Sequence, residues 1–265
     1  MPVSPIALTS PDSFSVVPAP PRDPLWSGWD VLLLTFATVL ALVVAEFMTI
    51  VGAQVFWYHR ASFRDLAEKP SLALVGEILG YVAVALIMIM MVEGKYHAPF
   101  WKAIRWNWRS RAVPKLLGLG VLTVGLDILG RYLPMPKTTP FEQIFAHPGD
   151  AYLMAAFAVT FGPLMEELFF RGFLYPVLAR RTGVFLAVVL TALPFGLMHY
   201  FQYRSWGAVL VIACVGVVLT IVRVVTQSVA ASFLVHVGYN ATLMGLTAIA
   251  TDGFRHMEKI TSVRL

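Results

Sequence analysis

Three short constellations in the 265-residue chain carry side chains that can do chemistry. In the stretch 161 to 181, FGPLMEELFFRGFLYPVLARR, Glu166 and Glu167 stand side by side and Arg171 follows one turn after Glu167. Adjacent helical positions point about 100° apart, so the two carboxylates cannot share a role. Glu167 and Arg171, at i and i+4, can pair. Glu166 faces elsewhere, has no local cation, and is the candidate general base or acid. Just ahead of it, Pro163 can open a helical section or kink a longer one. The second constellation is FGLMH, with Phe195 and His199 on one helical face, and the third is HVGYN, with His236 and Asn240 on one face. Gly238, between the last two, keeps the backbone open to close approach.

One carboxylate, two imidazoles and a carboxamide suit hydrolysis. The carboxylate and an imidazole can deprotonate a water, and a neutral His or Asn can donate hydrogen bonds to the developing oxyanion. No Ser or Cys stands in a nucleophile arrangement beside them, which disfavours covalent catalysis. Two His and a Glu also make up the kind of ligand set found in hydrolytic zinc sites, although the H-E-x-x-H helix is absent from the sequence. Each constellation has a bland alternative: a Glu–Arg network steadying a kinked helix, a hydrogen-bonded core histidine, a His–Asn pair holding two helices. Three of them on successive or near-successive apolar runs are less easily dismissed.

Composition dictates where these residues must sit. With 58% hydrophobic and 13% charged residues and a mean hydropathy of +0.74, the chain is not a soluble globular domain. Apolar runs near 31 to 53, 71 to 92, 114 to 133, 151 to 179, 183 to 201, 206 to 223 and 228 to 250 are each about long enough to cross a bilayer. Lipid cannot satisfy backbone polar groups, so the spans are helices, and the fold class is an all-α polytopic bundle of seven spans. The last run could conceal a break and an eighth segment. The turn between the fourth and fifth runs centres near Arg181, and Glu166 and His199 lie at similar distances before and after it, about 22 to 27 Å along antiparallel helices. They can therefore face each other at one level.

The remaining features bound the partners. Six Lys or Arg between Lys95 and Lys115 are interleaved with Trp101, Trp106 and Trp108, a membrane-surface pattern rather than a nucleic-acid one. The positive-inside rule puts that loop, and with seven spans the N-terminus, in the cytoplasm. The lone Cys214 has no intrachain partner. We read residues 1–27 as a disordered Pro/Ser-rich tail, 28–150 as N-terminal spans with the basic segment 95–115, 151–250 as the catalytic core, and 251–265 as a C-terminal tail. Glu46 and Glu77 are expected to be packed, protonated or interhelically bonded, with Gly76 and Gly80 at GxxxG spacing for close helix contact. Asp127 is expected to pair with Arg131 at i+4.

Taken together, EExxxR at Glu166 to Arg171, FxxxH at Phe195 to His199 and HxxxN at His236 to Asn240 resemble the motifs of the CPBP family, also called Abi: the type II CAAX prenyl endopeptidases and the bacteriocin-processing or immunity proteins. The resemblance covers about residues 150 to 245, with all three motifs intact and in order. It implies an intramembrane endopeptidase in the bacterial cytoplasmic membrane, acting on a peptide or membrane-protein substrate, prenylated or not. In it, Glu166 and His199 would activate the water, His236 and Asn240 would bind or polarise the scissile carbonyl, and Glu167 and Arg171 would support them. The family has been described both as zinc-dependent, with Glu166, His199 and His236 as the ligands here, and as metal-independent. The chemical reading slightly prefers no metal, because neither His has an acidic partner at i+3 or i+4 to orient it. Competing readings are a non-catalytic membrane scaffold or bacteriocin-immunity protein that uses the polar cluster structurally, and a proton-coupled transporter, which would call for inverted repeats not visible in the sequence.

Overall fold

The computed structural model describes residues 23–108, 110–130, 132–134, 136, 139–140, 145 and 148–259. The tail before residue 23, Arg131 and residues 260–265 lie outside them. Among the described residues the chain is helical without strands, and seven helices are long and apolar enough to cross a membrane. These run Gly28–Phe56, Pro70–Lys95, Ser110–Gly130, Gly149–Thr182, Val184–Tyr203, Trp206–Thr226 and Val229–Ala250, so each expected span is present. The last is one unbroken helix rather than two segments.

Local chemistry explains most boundaries. Helix α1 (Gly28–Phe56) starts at a capping box in which the Ser27 hydroxyl accepts from the Asp30 amide while the Asp30 carboxylate accepts from the Ser27 amide. Helix α2 (Pro70–Ile89) carries Pro in its first turn and runs on as a π-helical turn, Met90–Lys95. Next come α3 (Val113–Thr123) and α4 (Pro148–Val159). Thr160, with φ −119° and ψ −72°, separates α4 from α5 (Phe161–Glu167). Pro163 sits in the first turn of α5, where its missing N–H costs no helical bond. A π-helical segment, Leu168–Leu174, joins α5 to α6 (Tyr175–Thr182). Gly183, at φ +80°, turns the chain into α7 (Val184–Met198). Ser205 and Ser228 cap α8 (Trp206–Thr226) and α9 (Val229–Ala250), accepting from the Ala208 and Ala231 amides.

In its most apolar window α8 is 56% buried, against 11% for α1, which makes α8 the central helix and α1 a peripheral one. Glycine crossings bring backbones together, among them α1 with α2 and α3 with α9. A Cβ on Gly76 or Gly80 of α2 would fall 2.9 Å from the Glu46 Cα or 3.0 Å from the Leu42 Cα of α1, the GxxxG contact expected from the spacing. On α9, a Cβ at Gly238 would lie 3.1 Å from the Leu117 Cα of α3, and one at Gly120 would lie 2.7 Å from the Tyr239 amide nitrogen. Residues 23–27, assigned to the disordered tail on composition, are instead packed on the bundle. Trp26 is fully buried, stacks on Phe173 with ring centroids 4.6 Å apart, and donates its indole N–H to the Phe173 carbonyl at 3.0 Å.

Candidate active site

The two adjacent glutamates diverge as helical geometry requires. Glu167 is fully buried and accepts a 2.9 Å hydrogen bond from Arg171 Nη1 within the same helix. The guanidinium then reaches α8: Nη2 donates to the Gly216 carbonyl at 2.9 Å and Nε to the Thr220 hydroxyl at 3.3 Å. Its carbon lies 4.4 Å from the centroid of the Phe195 ring, a cation–π contact that links the first motif to the second. Arg171 sits inside the π-helical segment Leu168–Leu174, an arrangement often found at functional sites. Glu166 keeps 14% of its side chain exposed and lines a cavity of about 330 Å³ together with His199, His236 and Asn240.

Both imidazoles turn the same nitrogen toward Glu166. His199 Nε2 is 3.8 Å from Glu166 Oε1, and His236 Nε2 is 3.6 Å from Glu166 Oε2. Their other nitrogens face acceptors. His199 Nδ1 is 2.8 Å from the Phe195 carbonyl, and His236 Nδ1 is 3.1 Å from Glu167 Oε1. A carbonyl and a carboxylate only accept, so Nδ1 donates in each case and Nε2 is the nitrogen left to face the cavity. Separations of 3.6 and 3.8 Å are too long for direct hydrogen bonds and suit a bridging water. Asn240 Nδ2 donates to the Ala158 carbonyl at 2.7 Å. Ala158 is in the last turn of α4, where carbonyls lack partners within the helix.

Glu166, Glu167, Arg171, Phe195, His199, His236 and Asn240 thus gather from α5 and the π-helical segment after it, from α7 and its C-cap residue His199, and from α9. Among the described residues, no group of three or more His, Cys, Asp or Glu forms a metal-holding set. The premise that neither histidine has an acidic partner holds only within each helix, because Glu167 faces His236 from another span. That carboxylate and the Phe195 carbonyl are the kind of outer partner that zinc-bound imidazoles use, so the argument drawn from their absence falls.

Of two other expectations, the pairing of Asp127 with Arg131 falls outside the described residues and the reading of Glu77 is extended. Asp127 Oδ1 accepts from the Tyr239 hydroxyl at 3.2 Å, an interhelical bond to α9, while its expected partner Arg131 lies outside the described residues. Glu77, expected to be packed, protonated or interhelically bonded, lines the same cavity as Glu166, as does Tyr81 one turn later. Tyr81 is stacked at 6.1 Å from Phe157 and lies 6.1 Å from Phe161, which holds α2 against the start of α5. The signal in the sequence was a Glu and a Tyr at i and i+4 in an apolar run, two polar side chains sharing one face.

The three motifs, scattered over about seventy-five residues of sequence, therefore meet around one cavity. Residues 148–242 match the Rce1-like family, described as type II CAAX prenyl endopeptidase Rce1-like. This is the family that the three motifs resemble. The Rce1-like segment covers just over a third of the chain and contains every motif residue, while α1, α2 and α3 fall outside it. No curated protein and no solved structure matches the chain. The family is one of proteases, and the Rce1-like segment here is set in a bundle of seven apolar helices.

Proposed function

We propose that this chain is an intramembrane endopeptidase that hydrolyses a peptide bond of a membrane-associated substrate with a water activated by Glu166 and His199. The observation that carries the reading is the convergence of both histidine Nε2 atoms on Glu166, 3.8 and 3.6 Å away, with each Nδ1 held by an acceptor. In the first step a water held between Glu166 and His199 gives its proton to Glu166 as its oxygen bonds to the carbonyl carbon. The C=O π electrons move to oxygen. The second amide hydrogen of Asn240 donates to that oxyanion, and His236, whose Nδ1 donates to Glu167, lies beside it with Nε2 facing the cavity. When the intermediate collapses, Glu166 returns the proton to the departing nitrogen and the C–N bond breaks.

Arg171 and Glu167 hold the frame on this reading. The guanidinium bridges the Glu167 carboxylate, the Gly216 carbonyl and the Thr220 hydroxyl, so the carboxylate that orients His236 cannot swing away. The reaction as proposed uses side chains alone and needs no metal. The family name points to a prenylated protein or a peptide ending in a CAAX sequence as one substrate class. A scaffold or immunity role would require only the buried Glu167–Arg171 network, whereas Glu166 is partly exposed and faces the cavity together with both imidazoles.

The test is hydrolysis by the purified protein in detergent or nanodiscs, measured on a library of peptides and membrane proteins beside the Glu166→Gln variant. Turnover in the wild type that is lost in the variant supports the reading. Equal turnover in both, or none in either across the library, overturns it.

A further inference from the structure

The wall of the cavity opposite the motif residues is built by α2, which precedes the family-matched segment. Glu77 is on that wall, and its depth can be compared with that of Glu166. Lys95 bonds to Asp30 at the start of α1, and Arg180 bonds to the Trp26 carbonyl just before it, so the ends of α2 and α6 lie at the same face of the bundle. Counting inward from Lys95 to Glu77 and from Thr182 to Glu166 gives about 27 and about 24 Å at the helical rise. The two carboxylates therefore face one cavity at one level. Gly76, the residue before Glu77, is locked against Glu46 of α1, and Tyr81 is fixed between Phe157 and Phe161, so the rotation of α2 that aims Glu77 inward is set by packing on both sides.

A carboxylate inside a span is costly unless its charge is met. Among the described residues lining the cavity there is no Lys or Arg. The cavity imidazoles turn Nε2 toward Glu166, while Nδ1 of His236 is held by Glu167 and that of His199 by the Phe195 carbonyl. Tyr81, at i+4, can offer only a neutral hydroxyl. None of the described lining residues brings Glu77 a cation, and a basic group entering with the substrate would supply one. We propose that Glu77 is a specificity-determining residue that binds a basic side chain of the peptide substrate beside the scissile bond. This rests on the endopeptidase reading for the identity of the site, and it places the choice of substrate on a helix outside the shared catalytic segment. It also disfavours a substrate that presents a free carboxylate to this wall.

Binding, rather than turnover, tests it. Fluorescently labelled apolar decapeptides differing at one internal position (Lys, norleucine or Glu) are titrated by anisotropy against the full chain in nanodiscs. A Glu166→Gln background prevents consumption of the peptide. The Lys peptide should bind about tenfold or more tightly than the norleucine peptide, the scale of one partly desolvated charge pair, and the Glu peptide weakest of all. Adding Glu77→Gln should bring Lys and norleucine within about twofold while norleucine affinity is kept, and Glu77→Asp should retain part of the preference. An unchanged Lys preference in Glu77→Gln, or no preference at all before that change, overturns the proposal. Loss of norleucine binding as well, with an unchanged thermal transition, would make Glu77 a general wall residue and also overturn it. Because no arm requires hydrolysis, failure of Glu166 as base is seen separately.

Discussion

Glu167 and His236 lie in different spans, yet the carboxylate Oε1 of one is 3.1 Å from the Nδ1 of the other, and the same oxygen accepts from Arg171 at 2.9 Å. One buried atom thus couples the first motif to the third. Glu166 faces the cavity on the other side of the helix, so neighbouring carboxylates of one type are assigned to different work by a rotation of about 100°.

Glu166→Gln is expected to reduce hydrolysis about 100-fold or more, the usual cost of a lost general base, while the protein inserts and melts as the wild type does. The swap keeps the size and removes the basic oxygen. Steady-state turnover on any cleaved peptide, together with a melting curve, checks this, and retention of more than about a tenth of the wild-type rate would sink the base assignment.

For Glu167→Gln and Arg171→Gln the expectation is loss of stability as well as of activity. Each leaves a partner charge in a fully buried position, a change that costs about 3 to 5 kcal/mol when a buried pair is broken. The double variant should lose less than the sum of the two. Unchanged melting temperatures for both single variants would contradict the pairing.

Gly120→Leu should unseat α9 without touching a motif residue. Its side chain would have to displace backbone at Gly238 and Tyr239, where even a Cβ comes within 2.8 Å of the Gly238 Cα, and overpacking of this kind costs about 1 to 3 kcal/mol. His236 and Asn240 ride on that helix, so activity should fall together with the melting temperature. Wild-type turnover in this variant would show that the crossing does not position the site.

Metal dependence is decided by prolonged chelation, zinc replacement and elemental analysis of the purified protein. The proposed mechanism expects indifference to all three. Stoichiometric zinc lost and regained in step with activity would make Glu166 a ligand rather than the base, with Glu167 and the Phe195 carbonyl orienting the two histidines.

Trp26→Ala should destabilise the bundle by about 3 to 5 kcal/mol, the cost of emptying a buried aromatic site. Its indole is buried against Phe173, in the π-helical segment that also carries Arg171. A melting temperature equal to wild type would mean that the contact adds nothing.

Much of this was legible in the sequence because helix periodicity and bilayer thickness are local rules. Seven runs of the right length, the i, i+4 pair Glu167–Arg171, the divergence of Glu166 from Glu167, and the opposition of Glu166 and His199 at one level all follow from rise and turn per residue. What the tertiary structure alone decided is which face of each helix meets which neighbour. The bond from His236 to Glu167, that from Asn240 to Ala158, the choice of Tyr239 as partner for Asp127, and the entry of Glu77 into the cavity all depend on how helices are rotated about their axes. In a span that is apolar all round, little in the pattern marks the inward face. Rotation is set instead by where backbones can approach, at Gly76 against Glu46 and at Gly120 against Gly238, and spacing along one helix carries no information about the position of its counterpart on another.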